Sequence, residues 1–342
     1  MTRPSSSKNL QNMSDQHHNL AHGKTISAPS DPTPQAANHV TLDPTMQSID
    51  EVELLGVDWG TTNLRVMRIG NDGRMLESRH DPRGASKVKP GEFGTVLRDV
   101  MGDWADPDLP VLVCGMAGGR NGWLETEYRE CPVSLETLAP VKIAGEELDI
   151  SIVPGVSLHI DGVLVDVMRG EETQVMGLQD SEDGALIVTP GTHSKWISFE
   201  NESIVSFRTF LTGDLFAAIR AETLLGHEMG DAGSDLEAFE TGVRRALDDN
   251  ALTANLFSVR TYRLSGQISE SSTADYLSGL LVGAEVAAQR IHQQSPIVVL
   301  GTNLLCSLYA RALQIAGSPN VKTLDATNAA ATGLWRIRQA ML

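Results

Sequence analysis

The order of apolar and polar positions repeats itself at two places along the chain. Residues 54–78, LLGVDWGTTNLRVMRIGNDGRMLES, run as an apolar strand, a Gly-Thr turn, a second strand, an Asn-Asp-Gly turn and a third strand. Residues 185–209, ALIVTPGTHSKWISFENESIVSFRT, follow the same order, with Gly191-Thr192 in the first turn. Each unit predicts a β-meander, because short apolar runs broken by turn residues are the signature of hairpin-linked strands. A Gly-Thr turn leaves bare backbone N–H groups and a hydroxyl free to face an anion. Two such turns predict two similar lobes, each offering a phosphate loop to one nucleotide between them, and so an ATP-dependent phosphotransferase.

The remaining pattern fits α/β lobes. Residues 90–105 predict a helix with Pro90 near its start. The apolar strand PVLVCGM (110–116) runs into the glycine-rich AGGRNGW, and residues 151–156 read as a strand entering a turn. Residues 166–178 read as helical, with Val167, Val175 and Met176 at helical spacing. Helices are expected at 212–225, 234–249 and 273–293, the last with Gly279, Gly283 and Ala284 as a close helix contact. The strand 296–301, a helix from Asn303, the short strand VKTLDA and a closing helix from about 328 complete an α/β lobe. The expected division is 1–50 as an extension, 51–182 as an N-terminal lobe with the substrate loop, and 183–342 as a C-terminal lobe, joined near 180–184.

Residues 1–50 are rich in Ser, Pro, Asn, Gln and His and poor in aromatic and branched apolar residues. Such a segment cannot bury enough surface to offset its chain entropy, so disorder is expected. It has no continuous apolar stretch and is not a secretory signal. His17, His18, His22 and His39 read as polar filler, and Met46 is a second candidate start.

Composition narrows the function. A net charge of −17 argues against a nucleic-acid partner, which wants a basic stripe, so an anionic substrate needs a local cationic pocket. No apolar run approaches the roughly 18 residues of a membrane-spanning helix. The 3 cysteines form no CxxC pair and read as reduced thiols of a cytoplasmic protein. Homo-oligomerisation is left open.

Asp58 ends an apolar strand directly before Gly60, Thr61 and Thr62. A carboxylate there can hold Mg2+ beside phosphates bound by the turn, or it can cap its own backbone. The second Gly-Thr turn favours the phosphate reading. Asn63 and Arg65 share a strand face, from which Arg65 can reach a β- or γ-phosphate or can equally serve as an ordinary surface cation of the strand. In the second turn Gly191, Thr192 and His193 are candidate phosphate contacts, and Lys195 can neutralise developing charge. Transfer to a hydroxyl also needs a carboxylate to accept the proton. Glu171, in the first turn of a predicted helix, is the first choice, with Glu172, Asp166 and Asp214 as rivals. The loop carrying Arg120 and Asn121 suits a small polyhydroxylated acid, guanidinium for carboxylate and amide for hydroxyls, although taken alone it reads slightly better as a structural turn. Arg208 and Arg169 are further candidates for that carboxylate. Gly301 and Thr302, at a strand–helix junction, face the adenosine or α-phosphate.

Taken together, VDWGTTNLR (57–65), CGMAGGRNGW (114–123), VPGVS (153–157), VMRGEETQVMG (167–177), PGTHSKW (190–196), FRTFLTGDLF (207–216) and LSGLLVGAEVA (277–287) resemble the sugar-kinase/Hsp70/actin superfamily. Within it they are similar to the 2-dehydro-3-deoxygalactonokinase family of bacterial galactonate breakdown, across almost the whole chain from residue 54. The resemblance implies an α/β fold of two actin-like (ribonuclease H-like) lobes, each a mixed sheet flanked by helices, with Mg·ATP in the cleft between them. It implies transfer of the γ-phosphoryl group to the 6-hydroxyl of 2-dehydro-3-deoxy-D-galactonate. Superfamily relatives place an Asp where Glu171 stands. The chain departs from the family in Asp214 of Thr212-Gly213-Asp214-Leu215, where TGEL is usual, and at Leu304-Leu305, where a Ser or Thr is usual. Competing readings are a kinase for 2-dehydro-3-deoxygluconate or a neutral sugar, and an actin-like ATPase acting as a chaperone, filament or regulator. The chain shows neither a peptide-binding domain nor a helix-turn-helix pattern to support those last roles.

Overall fold

The computed structural model describes residues 51–178, 182–227, 229–233, 235–249, 251–289 and 296–342. The expectations for residues 1–50, including the four histidines and Met46, lie outside the described residues, as does part of the junction near 180–184.

The first meander forms as its pattern predicts: β1 (Val52–Trp59), β2 (Leu64–Gly70) and β3 (Met75–Asp81) are antiparallel neighbours. Leu54 to Val57 are all buried, so both faces of β1 are covered, whereas β3 is an exposed edge. One face packs under α1 (Phe93–Met101), which turns Phe93, Leu97 and Met101 onto Leu55, Val57 and Trp59. β4 (Val111–Gly115) joins β1 in parallel. After β5 (Arg129–Glu130) and β6 (Val141–Lys142), β7 (Ile150–Ile152) joins β4 in parallel. Among the described residues the sheet runs β3-β2-β1-β4-β7-β6.

Here the sequence reading needs a correction. Residues 156–168 form a hairpin, β8 (Val156–Ile160) and β9 (Val163–Met168), which with β5 makes a small third sheet. Val167 is therefore a strand residue, and α2 (Glu171–Met176) starts only at Glu171. Pairing with β8 decides this, together with Asp166, which accepts from the Thr209 amide at 2.7 Å and the Thr209 hydroxyl at 2.8 Å.

The second meander is β10 (Leu186–Thr189), β11 (Ser194–Glu200) and β12 (Ser203–Phe210). Helices α3 (Thr212–Glu222), α4 (Leu236–Asp248), α5 (Leu252–Leu256), α6 (Ser258–Leu264) and α7 (Thr273–Ala288) follow. Gly279 and Gly283 of α7 lie against α4, the close contact expected of them. β13 (Ile297–Gly301), α8 (Asn303–Ile315), β14 (Val321–Asp325) and α9 (Ala326–Gln339) close the chain. This sheet runs β12-β11-β10-β13-β14, which repeats β3-β2-β1-β4-β7 strand for strand: an antiparallel meander, then two parallel strands. No helix among the described residues is long and apolar enough to cross a membrane. Cys114 and Cys306 are buried and unpaired, in keeping with structural thiols.

The two sheets share a core. Leu54, Met67 and Ile69 from the first and Ile187, Ile197, Phe199 and Val298 from the second pack with Val175 and Met176 of α2 and Leu334 and Ile337 of α9. Where α2 meets α9 both backbones carry glycine. A Cβ on Gly177 would overlap the Ala329 carbonyl, and one on Gly333 the Thr173 carbonyl. Gly333→Ala is expected to force the helices apart and cost about 1–3 kcal/mol, as overpacking does. The check is the urea unfolding midpoint; an unchanged midpoint would show that the crossing separates freely.

Candidate active site

β1 and β10 hold equivalent places in their sheets, and the turns that follow them face one cavity of about 460 Å³. Asp58, Gly60 and Thr61 line it from the first sheet, Gly191, Thr192, His193 and Lys195 from the second, with Gly301 and Thr302 beside them. Residues from sequence positions more than 240 apart thus meet in one space, Asp58 and Thr302 among them.

The first turn is set by a backbone strap. Gly84, Ala85 and Ser86 donate their amides to the carbonyls of Thr62, Gly60 and Thr61 at 3.2, 2.9 and 3.1 Å. A trans peptide points its N–H opposite its C=O, so the amides of Thr61, Thr62 and Asn63 are turned away from the strap. A second recess of about 220 Å³ on this side is bounded by Asp58, Gly60, Thr62, Asn63, Arg65 and His80. Arg65 lies 3.9 Å from Asp58. Burial holds the Asp58 carboxyl above the usual carboxylate range; Arg65 opposes this and the charge of Glu171 adds to it.

The second turn is held by side chains and by α3. The Asp214 amide donates to the Thr192 carbonyl at 3.0 Å, and Asp214 Oδ2 lies 2.7 Å from His193 Nε2. Lys195 donates to the His193 carbonyl at 3.0 Å and meets Glu171 Oε1 at 2.6 Å, an ion pair that joins α2 to β11.

The four candidate carboxylates have different surroundings. Asp166 is engaged by Thr209 and by the Val167 amide at 2.8 Å. Asp214 is engaged by His193. Glu172 is fully buried and closes the turn before α2, accepting from the Gly170 amide at 2.6 Å and Thr173 Oγ1 at 3.0 Å. Glu171 lines the cavity, and its Oε2 is buried without a hydrogen-bond partner.

The residues proposed for the acid are more scattered. Arg169 lines the cavity, but its guanidinium donates to Thr126 Oγ1 at 2.6 Å and the Thr126 carbonyl at 2.9 Å and stacks 4.4 Å over Tyr128. It fastens the glycine-rich loop to the start of α2. Arg120, 87 % exposed, and Asn121 stand at the outer tip of that loop, outside the residues that line the cavity. Arg208 is exposed on β12 beside Phe210, and it too lies outside the lining. Sequence reasoning did not single out Met116, Tyr128 and Gln174, which do line it. Met116 follows directly on β4 and Gln174 sits one turn beyond Glu171, and those positions were the available signal.

Two matching sheets, each turning a Gly-Thr loop toward a common cavity that a helix-start carboxylate enters, define a phosphotransferase of the actin-like class. Residues 58–337 match the family model described as 2-keto-3-deoxy-galactonokinase, and the chain belongs to that family. It is 37% identical over 290 residues to the protein named probable 2-dehydro-3-deoxygalactonokinase of Rhizobium meliloti (strain 1021), covering 81% of this chain and 94% of that one. It is 34% identical over 271 residues to the 2-dehydro-3-deoxygalactonokinase of Escherichia coli (strain K12), covering 77% and 90%. A crystal structure from Sinorhizobium meliloti assigned to the same enzyme superposes with a TM-score of 0.75 at 36% identity, covering 84% of this chain and 99% of that one.

Glu172 yields a pH prediction. Its pKa is pushed up to about 8, first by burial and then by the charge of Glu171, from an ordinary value of 4.5. Between those limits the folded protein holds a proton that the unfolded chain has released. That stabilisation is complete below the unfolded pKa and is lost as pH rises through the folded one. Glu172→Gln should therefore gain thermal stability relative to wild type steadily as pH rises from about 5 to about 8. A difference in Tm that stays constant over this range would show that Glu172 ionises normally.

Proposed function

We propose that this protein transfers the γ-phosphoryl group of ATP to the 6-hydroxyl of 2-dehydro-3-deoxy-D-galactonate, in galactonate breakdown, with Glu171 as the base. The observation that carries this is Glu171, which lines the cavity that both Gly-Thr turns face and keeps in Oε2 a buried acceptor without a hydrogen-bond partner. Family membership supplies the substrate, and the named relatives supply the same one. Residues 51–182 and 183–342 are the two lobes of this reading.

In this reading the turns at Gly60–Thr62 and Gly191–His193 hold the phosphates through amides and hydroxyls, and Lys195 offsets charge on the transferring group. Gly301 and Thr302 take the nucleoside end, beside the apolar recess that Leu304, Leu305 and Leu308 form with Phe216. The acid lies against Met116, Tyr128 and Arg169, and Arg120, exposed at the loop tip and 3.8 Å from Glu125, swings in to meet its carboxylate. The donor set also suits Mg2+, which takes one or two carboxylates and completes its shell with phosphate oxygens and water. Asp58 would hold it: the pKa of this carboxyl is raised by burial and by Glu171, and Arg65 stands 3.9 Å away. The ion would bring positive charge to the phosphate oxygens.

Glu171 acts through both oxygens. Lys195 holds Oε1, which fixes the rotamer, and Oε2 accepts the substrate hydroxyl. A loose transition state asks little of the nucleophile, so the carboxylate mainly orients the hydroxyl and collects its proton late. Glu171→Gln keeps the shape but cannot take the proton, so kcat should fall about 10²–10⁴-fold with both KM values nearly unchanged. Wild-type turnover in that variant, measured against a panel of 2-keto-3-deoxy acids with ATP, would remove Glu171 from the role. The same panel tests the substrate.

A further inference from the structure

Behind the second turn lies a buried carboxylate that the reaction above does not use. Glu285 of α7 is 2 % exposed, and four donors converge on it. Its Oε1 accepts from Trp196 Nε1 at 2.6 Å. Its Oε2 accepts from Ser194 Oγ at 2.9 Å, Tyr309 Oη at 2.8 Å and Thr212 Oγ1. Ser194 and Trp196 begin β11 directly after the turn, Thr212 is the first residue of α3, and Tyr309 comes from α8.

We propose that Glu285 is a positioning residue for the second phosphate turn, locking β11, α3 and α8 into one support that sets the affinity for the nucleotide. The inference rests on the kinase reading above. The turn has its own contacts with α3: the Asp214 amide holds the Thr192 carbonyl, Asp214 holds His193, and a Cβ on Gly213 would meet the Gly191 carbonyl. Turn and helix start therefore move together, and Thr212 fastens that pair to Glu285. Few side chains can serve four donors at once; a carboxylate can, because its two oxygens offer about four acceptor sites. A hydrophobic residue of the same volume would leave the indole N–H and three hydroxyls without this acceptor, which is the expensive way to bury polar groups. Glu285 lines neither the cavity nor the recess beside the nucleoside end, so it acts through the residues it holds: the turn, and Thr212 and Tyr309, which border that recess.

The test measures ATP binding by calorimetry without the sugar acid, and then both KM values in turnover. Thr212→Val keeps its shape and cuts only the link to α3; Glu285→Ala removes the centre. Each is expected to weaken ATP binding about tenfold, the scale of one lost charge-assisted hydrogen bond. The KM of the sugar acid should stay within about twofold. Glu285→Gln should restore most of the ATP affinity, since hydroxyls can turn to accept from its amide while Trp196 still donates to its oxygen. Wild-type ATP affinity in both Thr212→Val and Glu285→Ala overturns the inference and leaves the kinase reading standing. A parallel rise of both KM values, or a Glu285→Gln loss equal to that of Glu285→Ala, also overturns it. Failure of the wild-type protein to bind ATP overturns the kinase reading and the inference together. Should Glu285→Ala not fold, Thr212→Val still decides.

Discussion

Two helices approach until their backbones touch only when neither carries a side chain at the crossing, and α2 and α9 meet this condition through Gly177 and Gly333. The crossing seats α2 in the seam between two sheets that otherwise have separate outer cores. α9, the last helix, reaches back onto β1, β2 and β4 of the first sheet while also touching β13 and β14 of the second. With α2 pinned from behind, its first residue, Glu171, is delivered to the cavity, and the Lys195 ion pair completes a bridge from the first half of the chain to the second. A wider crossing would withdraw Glu171 from Lys195 and open the cavity at the point where the two turns converge.

That seating creates an electrostatic problem, because Asp58, Glu171 and Glu172 crowd together at one end of α2. Like charges in a poorly solvated site cannot all be borne cheaply. The structure resolves the three carboxyls differently. Glu172 is buried away from the cavity and keeps its proton to about pH 8. Glu171 is paired with a nearly buried lysine. Asp58 has only a guanidinium 3.9 Å away to offset its burial, which leaves it with the most to gain from a cation brought in with phosphates. In an acidic protein the cavity thus carries few and local cationic groups, Lys195 and Arg169 among its lining.

Much of this was legible in the chain, and the misses have physical causes. Both meanders and their Gly-Thr turns stood out because short apolar runs and the turn residues that break them are local properties. β9 did not, because Val163, Leu164, Val165 and Val167 are all more than a third exposed, so no amphipathic alternation marks the strand. Its identity comes from β8 and Thr209, partners far along the sequence. α5 and α6 are short and take their order from packing against α7. Among the site residues, Asp58 and the two turns were readable because strand ends and Gly-Thr pairs carry their own geometry. Arg169 was readable only as a cation; its engagement with Thr126 and Tyr128 depends on a loop whose path no local signal specifies. Glu285 sat in a helix whose glycines and apolar residues suggested packing alone, and the donors that give it a purpose lie 24 to 91 residues away.

The two turns look alike in sequence and in sheet position, yet their supports differ in kind. The first is fastened by amides of residues 84–86 to its own carbonyls, with the Ser86 hydroxyl adding a bond to the Thr61 carbonyl at 2.7 Å, in a strap so close that a Cβ on Gly84 would overlap the Thr61 carbonyl. The second is fastened by the Asp214 amide and, beyond it, by hydroxyls, an imidazole–carboxylate pair and a buried glutamate, groups that single side-chain substitutions remove. A repeated motif therefore preserves the loop chemistry without preserving what holds the loop. One side of the cavity is a fixed wall. The other depends on side chains that reach through the lobe to α7 and α8, so the sensitivity of the cavity to its surroundings is concentrated there.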